Sequence, residues 1–386
     1  MTIKCSNPLL GPLPPTASMS IAVVIPAYRV TRHILAVIDA MPRAVDHVFV
    51  VDDACPERSG ELVRLKCHDP RVEVIVHAQN RGVGGAVMTG YAAAIARGAN
   101  VIVKVDGDGQ MDPALIPAFV LPILAGQADY TKGNRFFDLE EVRAMPSIRL
   151  FGNAVLSFVS KLSSGYWNIF DPTNGYTAIH ADVAALLPLD KISRRYFFES
   201  DMLFRLNTIR AVVVDVPMAA KYGDEISHLS IPNIVGDFLF KHMRNFCKRI
   251  FYNYYLRDLS LASFELPLGL ALIIFGTLFG ASRWIDSMGA GTAATAGTVM
   301  LAALPIMLGI QLLLAFVGYD VMSVPTRPRH GRFHVAQNVD AIVGAEADAV
   351  RPADVDTQVS GTLNQRVDEQ ASATTANVGT QAASRS

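Results

Sequence analysis

This chain of 386 residues has few cysteines and few charged residues, and its N-terminal residues include no continuous hydrophobic segment of the kind found in signal peptides. The four cysteines, Cys5, Cys55, Cys67 and Cys247, are scattered and form no C-x-x-C pair. This disfavours a zinc site or a disulfide framework and favours a reducing compartment. Prolines interrupt residues 1–19, so we expect a flexible N-terminus and no signal peptide. The net charge is −1, which argues against nucleic acid as a partner.

Charged residues make up only 18% of the chain and hydrophobic residues 51%, a balance too apolar for a purely soluble enzyme. Two apolar stretches, about 266–284 and 298–317, are each close to the ~20 residues that cross a bilayer core. They predict two transmembrane helices within 261–320. Basic residues flank the outer ends of this hairpin, and its short link has no Lys or Arg. The positive-inside rule then predicts a multi-pass inner-membrane protein with both termini in the cytoplasm.

The segments around the hairpin have distinct compositions. Residues 232–260 mix aromatic and basic side chains, which predicts juxtamembrane amphipathic helices in contact with membrane lipids, although a charged helix packed on the sheet is the alternative. Residues 335–386 are polar with almost no aromatics, which predicts a disordered cytoplasmic tail. Gly269, Gly276 and Gly280 in the first span would permit helix–helix contact, so a homo-oligomer stays open.

Residues 20–231 alternate short apolar segments with helical ones. The four apolar segments lie near 21–25, 47–51, 72–76 and 101–105. They predict an α/β domain with a mainly parallel, doubly wound, Rossmann-like sheet and helices on both faces. Ligands of such sheets bind at the carboxyl ends of the strands. Polar groups follow all four ends: Pro26-Ala27-Tyr28, Asp52-Asp53, Asn80 to Gly85, and Asp106 to Gln110.

The fourth strand end carries the strongest chemical signal. Asp106 and Asp108 are two residues apart in an extended segment, so their carboxylates point the same way. With the Gln110 amide oxygen they predict a partial ligand shell for Mg²⁺ or Mn²⁺, whose other ligands come from substrate phosphates. An ordinary Asp-Gly turn is the alternative. An EF-hand is excluded because Met111 and Pro117 occupy the positions that require Gly and Glu.

In order and spacing these motifs resemble those of glycosyltransferase family 2 enzymes with a GT-A fold. Among them, the chain looks most like the polyprenyl-phosphate glycosyltransferases, relatives of dolichol-phosphate mannose synthase. The resemblance covers about residues 20–325, and the Q-x-x-R-W signature of processive polysaccharide synthases is absent. The matching segments are Pro26-Ala27-Tyr28, Val51-Asp52-Asp53, Asn80 to Ala86, Asp106 to Gln110, Gly133-Asn134-Arg135 and Asp171 to Gly175.

The resemblance implies a metal-dependent, inverting transfer of one sugar in cell-envelope biogenesis. The donor would be a UDP- or GDP-hexose and the acceptor polyprenyl (undecaprenyl) phosphate at the cytoplasmic face. Asp106, Asp108 and Gln110 would hold Mg²⁺ or Mn²⁺ against the donor diphosphate, with Asp108 essential for catalysis. The glycine run would let the backbone approach the donor closely. The donor would contact Pro26, Ala27, Tyr28, Asp52, Asp53, Asn80 and Gly84.

A lipid phosphate acceptor requires cations near the membrane. Arg135 and Arg149 match family arginines that face the acceptor phosphate, and Arg194 and Arg195 would add to them. Arginine suits this role because its guanidinium pairs with phosphate in a bidentate manner. For each arginine, a surface salt bridge is the alternative.

A phosphate acceptor is already ionised at pH 7, so a strong general base is not mandatory. Asp171, in the turn that matches the family's acceptor side, is expected to orient or deprotonate the acceptor. Glu199 and Asp201 are the alternatives for that role.

Two other functions remain open at this stage. One is a glycosyltransferase with a glycolipid or polysaccharide acceptor, for which Arg135 and Arg149 would matter little and a true base would be essential. The other is a non-catalytic membrane scaffold that binds nucleotide sugars without turnover. A dinucleotide-dependent enzyme is disfavoured, because the glycine run follows the third strand and not the first.

Overall fold

The structure is a computed structural model that describes residues 19–137, 147–219 and 231–331. The side chains of residues 147–149 and 231–235 lie outside this description, and so does that of Arg149. The expected tail at 335–386 and all but the last residue of the expected flexible N-terminus at 1–19 also lie outside the described residues.

Seven strands form one sheet, in the order β3-β2-β1-β4-β6-β5-β7. Paired strands are parallel except β6, which runs antiparallel to both β4 and β5. The predicted mainly parallel sheet is therefore confirmed, with β6 as the exception. The strands are β1 (Ile21–Ala27), β2 (His47–Asp52), β3 (Val72–Val76), β4 (Val101–Lys104), β5 (Tyr130–Asn134), β6 (Thr177–His180) and β7 (Val213–Pro217).

The reversed direction of β6 helps to build the site. Thr177, the first residue of β6, pairs with Lys104, the last residue of β4. The turn at 171–175 that leads into β6 therefore lies at the carboxyl edge of the sheet. It reaches the same edge as the two aspartates that follow β4.

Helices cover both faces of the sheet, as the doubly wound pattern predicts. Alternate strand side chains enter opposite cores: Val24 and Ile102 pack on the face that carries α3, and Val23 and Val103 on the face that carries α1 and α4. This mixed, two-faced sheet agrees with the expected GT-A fold. The helices are α1 (Ile34–Asp39), α2 (Ser59–Lys66), α3 (Val83–Ala96), α4 (Ile116–Leu124), α5 (Ser147–Ser164), α6 (Ala181–Ala185) and α7 (Phe198–Thr208).

Beyond the sheet the chain continues as α8 (Ile231–Phe251), a π-helical turn (Tyr252–Arg257), α9 (Ala262–Ala290) and α10 (Ala296–Met322). By length and composition, α9 and α10 are apolar enough to cross a membrane. Both extend beyond the stretches at 266–284 and 298–317 that the sequence suggested.

The glycines of the first span serve the hairpin itself. A Cβ added to Gly276 would lie 2.7 Å from the carbonyl oxygen of Ala302, and one at Gly269 would lie 3.0 Å from that of Gly309. These small residues therefore allow α9 and α10 to pack closely within one chain. They do not leave a free stripe that would support the homo-oligomer considered from the sequence.

A buried ion pair joins the hairpin to the α/β domain. Arg249 of α8 donates to both carboxylate oxygens of Asp320 in α10, over 2.6 and 3.0 Å. Trp167 Nε1 and Tyr254 Oη also donate to Asp320, over 2.8 and 2.5 Å. Arg249 is only 1% exposed, so it does not join the basic membrane face of α8 that the composition suggested.

Candidate functional site

A cleft of about 570 Å³ opens at the carboxyl edge of the sheet. It collects polar groups from the ends of β1, β2, β3 and β4, together with the start of α7. Of the predicted site residues, the structure places eight along this cleft: Pro26, Ala27, Tyr28, Asp53, Asn80, Asp106, Asp108 and Arg195.

Asp106 forms an ion pair with a lysine that lies beneath it. Lys104 Nζ is 2.7 Å from Asp106 Oδ1, and the lysine side chain is 1% exposed. Burial acts to lower the pKa of Lys104, but the carboxylates of Asp106 and Glu199 outweigh it, so that pKa lies above its ordinary value. Lys104 therefore stays charged and fixes one oxygen of Asp106 at the floor of the cleft.

Asp108 stands two residues further along and also lines the cleft. Its Oδ1 accepts a hydrogen bond of 2.9 Å from the backbone N–H of Gln110, which fixes the turn. The side chain of Gln110 does not line the cleft, so its predicted role as a third metal ligand gains no support from the geometry.

The donor set at this edge fits a hard divalent cation. Asp106 and Asp108 supply carboxylate oxygens, which Mg²⁺ and Mn²⁺ prefer. Within the described ranges, no group of three or more His, Cys, Asp or Glu side chains could hold a metal alone. Two carboxylates that leave other positions to substrate phosphates and water are the usual arrangement for Mg²⁺.

The paired aspartates after β2 have different surroundings. Asp52 accepts hydrogen bonds from the backbone N–H groups of Cys55 and Gly60, over 2.7 and 2.6 Å, and does not line the cleft. It anchors the start of α2, which does not support its predicted contact with the donor. Asp53 lines the cleft and accepts from the N–H groups of Arg81 and Gly82, over 2.8 and 2.7 Å.

The glycine run is required for a reason that differs from the one expected. A Cβ on Gly82 would clash with the carbonyl oxygen of Arg194, and one on Gly84 with that of Ser193. The N–H of Gly84 also donates to the Arg194 carbonyl over 3.0 Å. Gly82 and Gly84 thus admit the segment before α7, and Gly82 also lines the cleft, so the expected close approach of this backbone to a donor stays a prediction. This contact brings Arg195 and Tyr196 to the cleft wall.

Lys104, Lys132 and Glu199 act on one another electrostatically, and these charged groups were not central to the sequence interpretation. Burial raises the pKa of Glu199 above its ordinary value, although Lys104 and Lys132 act against this. Burial lowers the pKa of Lys132 to about 8. The sequence did point to Lys104 and Lys132, because each is a charged residue in a strand that is otherwise wholly or partly apolar. Burial of a charge in such a strand is costly unless a partner is near.

The turn at 171–175, before β6, connects the sheet edge that carries Asp106 and Asp108 to Arg135. Arg135 donates to both oxygens of Asp171, from Nε over 2.8 Å and from Nη2 over 3.0 Å. Lys132 Nζ donates to the carbonyl oxygen of Asn174. A Cβ added to Gly175 would lie 2.9 Å from Asp106 Oδ2, so the turn packs directly on the sheet edge that carries Asp106 and Asp108.

The remaining predicted residues are more scattered. Arg149 lies in the first turn of α5, but its side chain is outside the described residues. Arg194 points its side chain to the surface while its carbonyl holds the glycine run. Asp201 is 2% exposed and accepts from Ser193 N and Asn245 Nδ2, over 2.9 and 3.1 Å. Asp201 is therefore a structural residue, whereas Glu199 faces the cleft.

Comparison with known proteins agrees with this geometry. A family model described as Glycosyl transferase family 2 matches residues 22–186. The chain is 30% identical over 204 residues to undecaprenyl-phosphate mannosyltransferase of Micrococcus luteus, which covers 52% of this chain and 83% of that protein. It is 28% identical over 222 residues to UDP-N-acetylglucosamine–dolichyl-phosphate N-acetylglucosaminyltransferase of Methanococcus voltae, which covers 54% and 88%.

Solved structures show a weaker likeness. The crystal structure of glucosyl-3-phosphoglycerate synthase from Mycobacterium tuberculosis in complex with Mn²⁺, uridine diphosphate and glucosyl-3-phosphoglycerate superimposes with a TM-score of 0.46 at 18% identity. The match covers 60% of this chain and 80% of that one. The resemblance to polyprenyl-phosphate glycosyltransferases that the motifs indicated is confirmed by the curated relatives.

Proposed function

Since this chain belongs to glycosyltransferase family 2, we propose that it transfers one sugar from a nucleotide sugar to the phosphate of a polyprenyl phosphate. The observation that carries this proposal is the shared edge of the sheet. At this edge, Asp106 and Asp108 form a cation site suited to a diphosphate. The turn at 171–175 connects that site to Arg135, which is suited to bind a phosphate. Relatives named for lipid phosphate acceptors support the same assignment.

The donor side is assigned to the cleft between β1 and α3. Tyr28 is 43% exposed at its mouth and offers a ring against which a base can stack. Asp53 holds the loop that carries Asn80 and Gly82, and so shapes the wall opposite Tyr28. The nucleotide would lie between them, with its diphosphate toward Asp106 and Asp108. UDP- and GDP-hexoses are the donors that we expect.

Mg²⁺ or Mn²⁺ would be held by Asp106 and Asp108 and would neutralise the charge that develops on the leaving diphosphate. Lys104 holds Asp106 in place by its 2.7 Å contact. Arg195, at the cleft wall, supplies a second positive charge on the donor side.

The acceptor side is assigned to Arg135. Asp171 fixes its guanidinium through two hydrogen bonds and so preorganises a cation that would contact the acceptor phosphate. A phosphate monoester has its second pKa near about 6, so it is mostly dianionic at pH 7 and attacks without losing a proton to the protein. Asp171 is therefore assigned to orienting Arg135, and no residue is required as a general base. Attack from the face opposite the diphosphate would invert the anomeric configuration.

The membrane placement follows from the hairpin. The domain at 20–231 would lie at the cytoplasmic face of the inner membrane, with α9 and α10 spanning it and both termini in the cytoplasm. Arg327 and Arg329 follow α10, whereas the link between the helices, 291–295, has no Lys or Arg. A lipid acceptor would then reach the cleft from the bilayer.

A transfer assay tests this proposal. Membranes that contain the protein are given radiolabelled UDP- and GDP-hexoses, Mn²⁺ or Mg²⁺, and undecaprenyl phosphate. We expect a mild-acid-labile lipid-linked sugar from one donor, reduced at least about 100-fold in Asp108→Asn. Asp112→Asn is the matched control, because Asp112 lies in the same loop outside the cleft and caps the next turn. Failure of every such donor to label the lipid would refute the proposal.

A further inference from the structure

A second cavity, of about 860 Å³, lies between the end of α7, the turn before it and α8. It shares no lining residue with the nucleotide cleft. Of the residues that the structure describes, no acidic side chain lines it, and five basic ones do: Lys191, Arg205, Arg244, Lys248 and Arg257. A cavity with this lining is suited to an anion.

Among the described residues, most of this positive charge has no carboxylate partner. Arg205 is paired with Asp201 over 3.1 Å. In the described parts of the chain, no carboxylate lies within ion-pair distance of Lys191, Arg244 or Lys248, and none lies near Arg257. These cations repel one another until an anion binds between them.

Arg257 is held at the cavity by uncharged partners, and two further arginines outside the cavity lining act on it. Burial lowers its pKa below the ordinary value, and the like charges of Arg210 and Arg329 lower it further. Its guanidinium donates to Asn253 Oδ1 over 3.2 Å and to the carbonyl oxygen of Thr208, neither of which carries a charge. The arginine is thus held in place but not neutralised.

The position of the cavity indicates what kind of anion it receives. Its apolar wall, Tyr252 and Leu256, belongs to the π-helical turn that leads within five residues into α9. Exposed apolar side chains continue around it, at Phe251, Tyr255 and Leu259. Aromatic and basic side chains together at the entry of a membrane span are typical of the headgroup layer.

We propose that this cavity binds the phosphate headgroup of an anionic phospholipid. Arg244, Lys248 and Arg257 contact the phosphate, while Tyr252 and Leu256 contact the glycerol and the first acyl carbons. A lipid is favoured over a soluble phosphate because the apolar wall belongs to the turn that leads directly into the membrane-span candidate α9. The bound headgroup fixes α8, and with it the catalytic domain, at a set height above the bilayer. The site is separate from sugar transfer and does not depend on the proposed function.

Lipid titration of the full-length protein in detergent, followed by native mass spectrometry, tests this site. The probes are phosphatidylglycerol, phosphatidylcholine and glycerol 3-phosphate. We expect phosphatidylglycerol to bind, and Arg244→Gln/Lys248→Gln to weaken it about tenfold or more, since each surface cation contributes roughly a factor of five. The charge-preserving pair Arg244→Lys/Lys248→Arg should bind within about twofold of the native protein.

Lys241→Gln is the matched control. Lys241 lies on the same helix and is exposed to the same lipids, but it pairs with Asp237 and does not line the cavity. Unchanged phosphatidylglycerol affinity in Arg244→Gln/Lys248→Gln, with an unchanged melting temperature, would overturn the proposal. An equal loss in Lys241→Gln would also overturn it. Binding of glycerol 3-phosphate as tightly as the lipid would show a soluble ligand instead.

Discussion

Arg135 donates from Nε and Nη2 to the two carboxylate oxygens of Asp171, over 2.8 and 3.0 Å, across 36 residues of chain. Asp171 is fully buried, and Thr173 Oγ1 also contacts its Oδ1 at 3.3 Å. A buried carboxylate that accepts two hydrogen bonds from one guanidinium fixes the orientation of that arginine. The pair therefore supports a role for Asp171 in orienting an arginine toward an anionic acceptor.

Arg135→Lys should lower kcat/KM for polyprenyl phosphate by about 10- to 100-fold, because lysine cannot make the two parallel bonds to Asp171. The KM for the nucleotide sugar should change little. Asp171→Asn should have a similar effect, and the double variant should be no worse than the more damaged single one. Steady-state kinetics with each substrate varied in turn measures this.

The surface pair Arg97–Glu73, 2.7 Å apart, provides the control. Arg97→Lys changes an arginine that is also bonded to a carboxylate but lies far from the cleft, and its kinetics should match the native protein. Additive losses from Arg135→Lys and Asp171→Asn would show that the two residues act separately.

Much of this arrangement was predictable, because it depends on local patterns. Short apolar segments that end in polar residues identified the strands and their carboxyl edge, and the spacing of Asp106 and Asp108 indicated that both carboxylates line one cleft. The hairpin was predictable from length and composition alone. In each case the signal lies within a few consecutive residues.

The rest depends on contacts between distant segments, which no local pattern encodes. Gly82 and Gly84 admit the segment that contains Arg194, about 110 residues away in sequence. Asp52 and Asp53 are neighbours, yet one anchors α2 and the other the loop after β3, because adjacent side chains of an extended segment face opposite ways. The reversed direction of β6 was likewise not visible in its four residues, Thr177–His180.

Glu199→Gln should retain transfer to within about tenfold of the native rate. Glu199 faces the cleft and is the best-placed carboxylate for a base, but a phosphate acceptor is already ionised. Single-turnover rates at pH 6 to 8 measure this. Exposed Glu73→Gln is the control. A loss of more than about 1,000-fold would instead indicate an essential base and a hydroxyl acceptor.

Asp215 should make the folded protein less stable as the pH rises from about 4 to above 6. Burial raises its pKa to about 6, above the ~3.9 of an unfolded chain. The folded state therefore holds a proton that the unfolded state has lost, and its stabilising effect disappears as Asp215 ionises. Its Oδ1 has no hydrogen-bond partner among the described residues.

Asp215→Asn should remove this dependence and raise stability at pH 7.5 by up to about 2 kcal/mol. The difference in melting temperature between the native protein and the variant, measured at pH 4.5 and at pH 7.5, isolates the contribution of Asp215. Asp190→Asn, at an exposed turn, should follow the native curve. A difference curve that is flat with pH would contradict the role given to Asp215.

Asp320→Asn should destabilise the protein by about 3–5 kcal/mol. The change leaves the buried Arg249 charge, which is 1% exposed, without its counter-ion. Because this pair joins α10 to α8, we expect limited proteolysis to cut between the catalytic domain and the hairpin before either part unfolds. Asp286→Asn is the control, since its pair with Arg283 is exposed. Equal proteolysis of the two variants would show that the Arg249–Asp320 pair does not hold the domains together.

The central claim is that the acceptor is a lipid phosphate held opposite a donor diphosphate. Its most direct test gives the purified protein one competent nucleotide sugar together with equal amounts of undecaprenyl phosphate and undecaprenol. The account predicts that the sugar is transferred only to the phosphate, as a mild-acid-labile product, and that Asp108→Ala abolishes the transfer while the lipid is still bound. Glycosylated undecaprenol, or transfer by Asp108→Ala at the native rate, would contradict it.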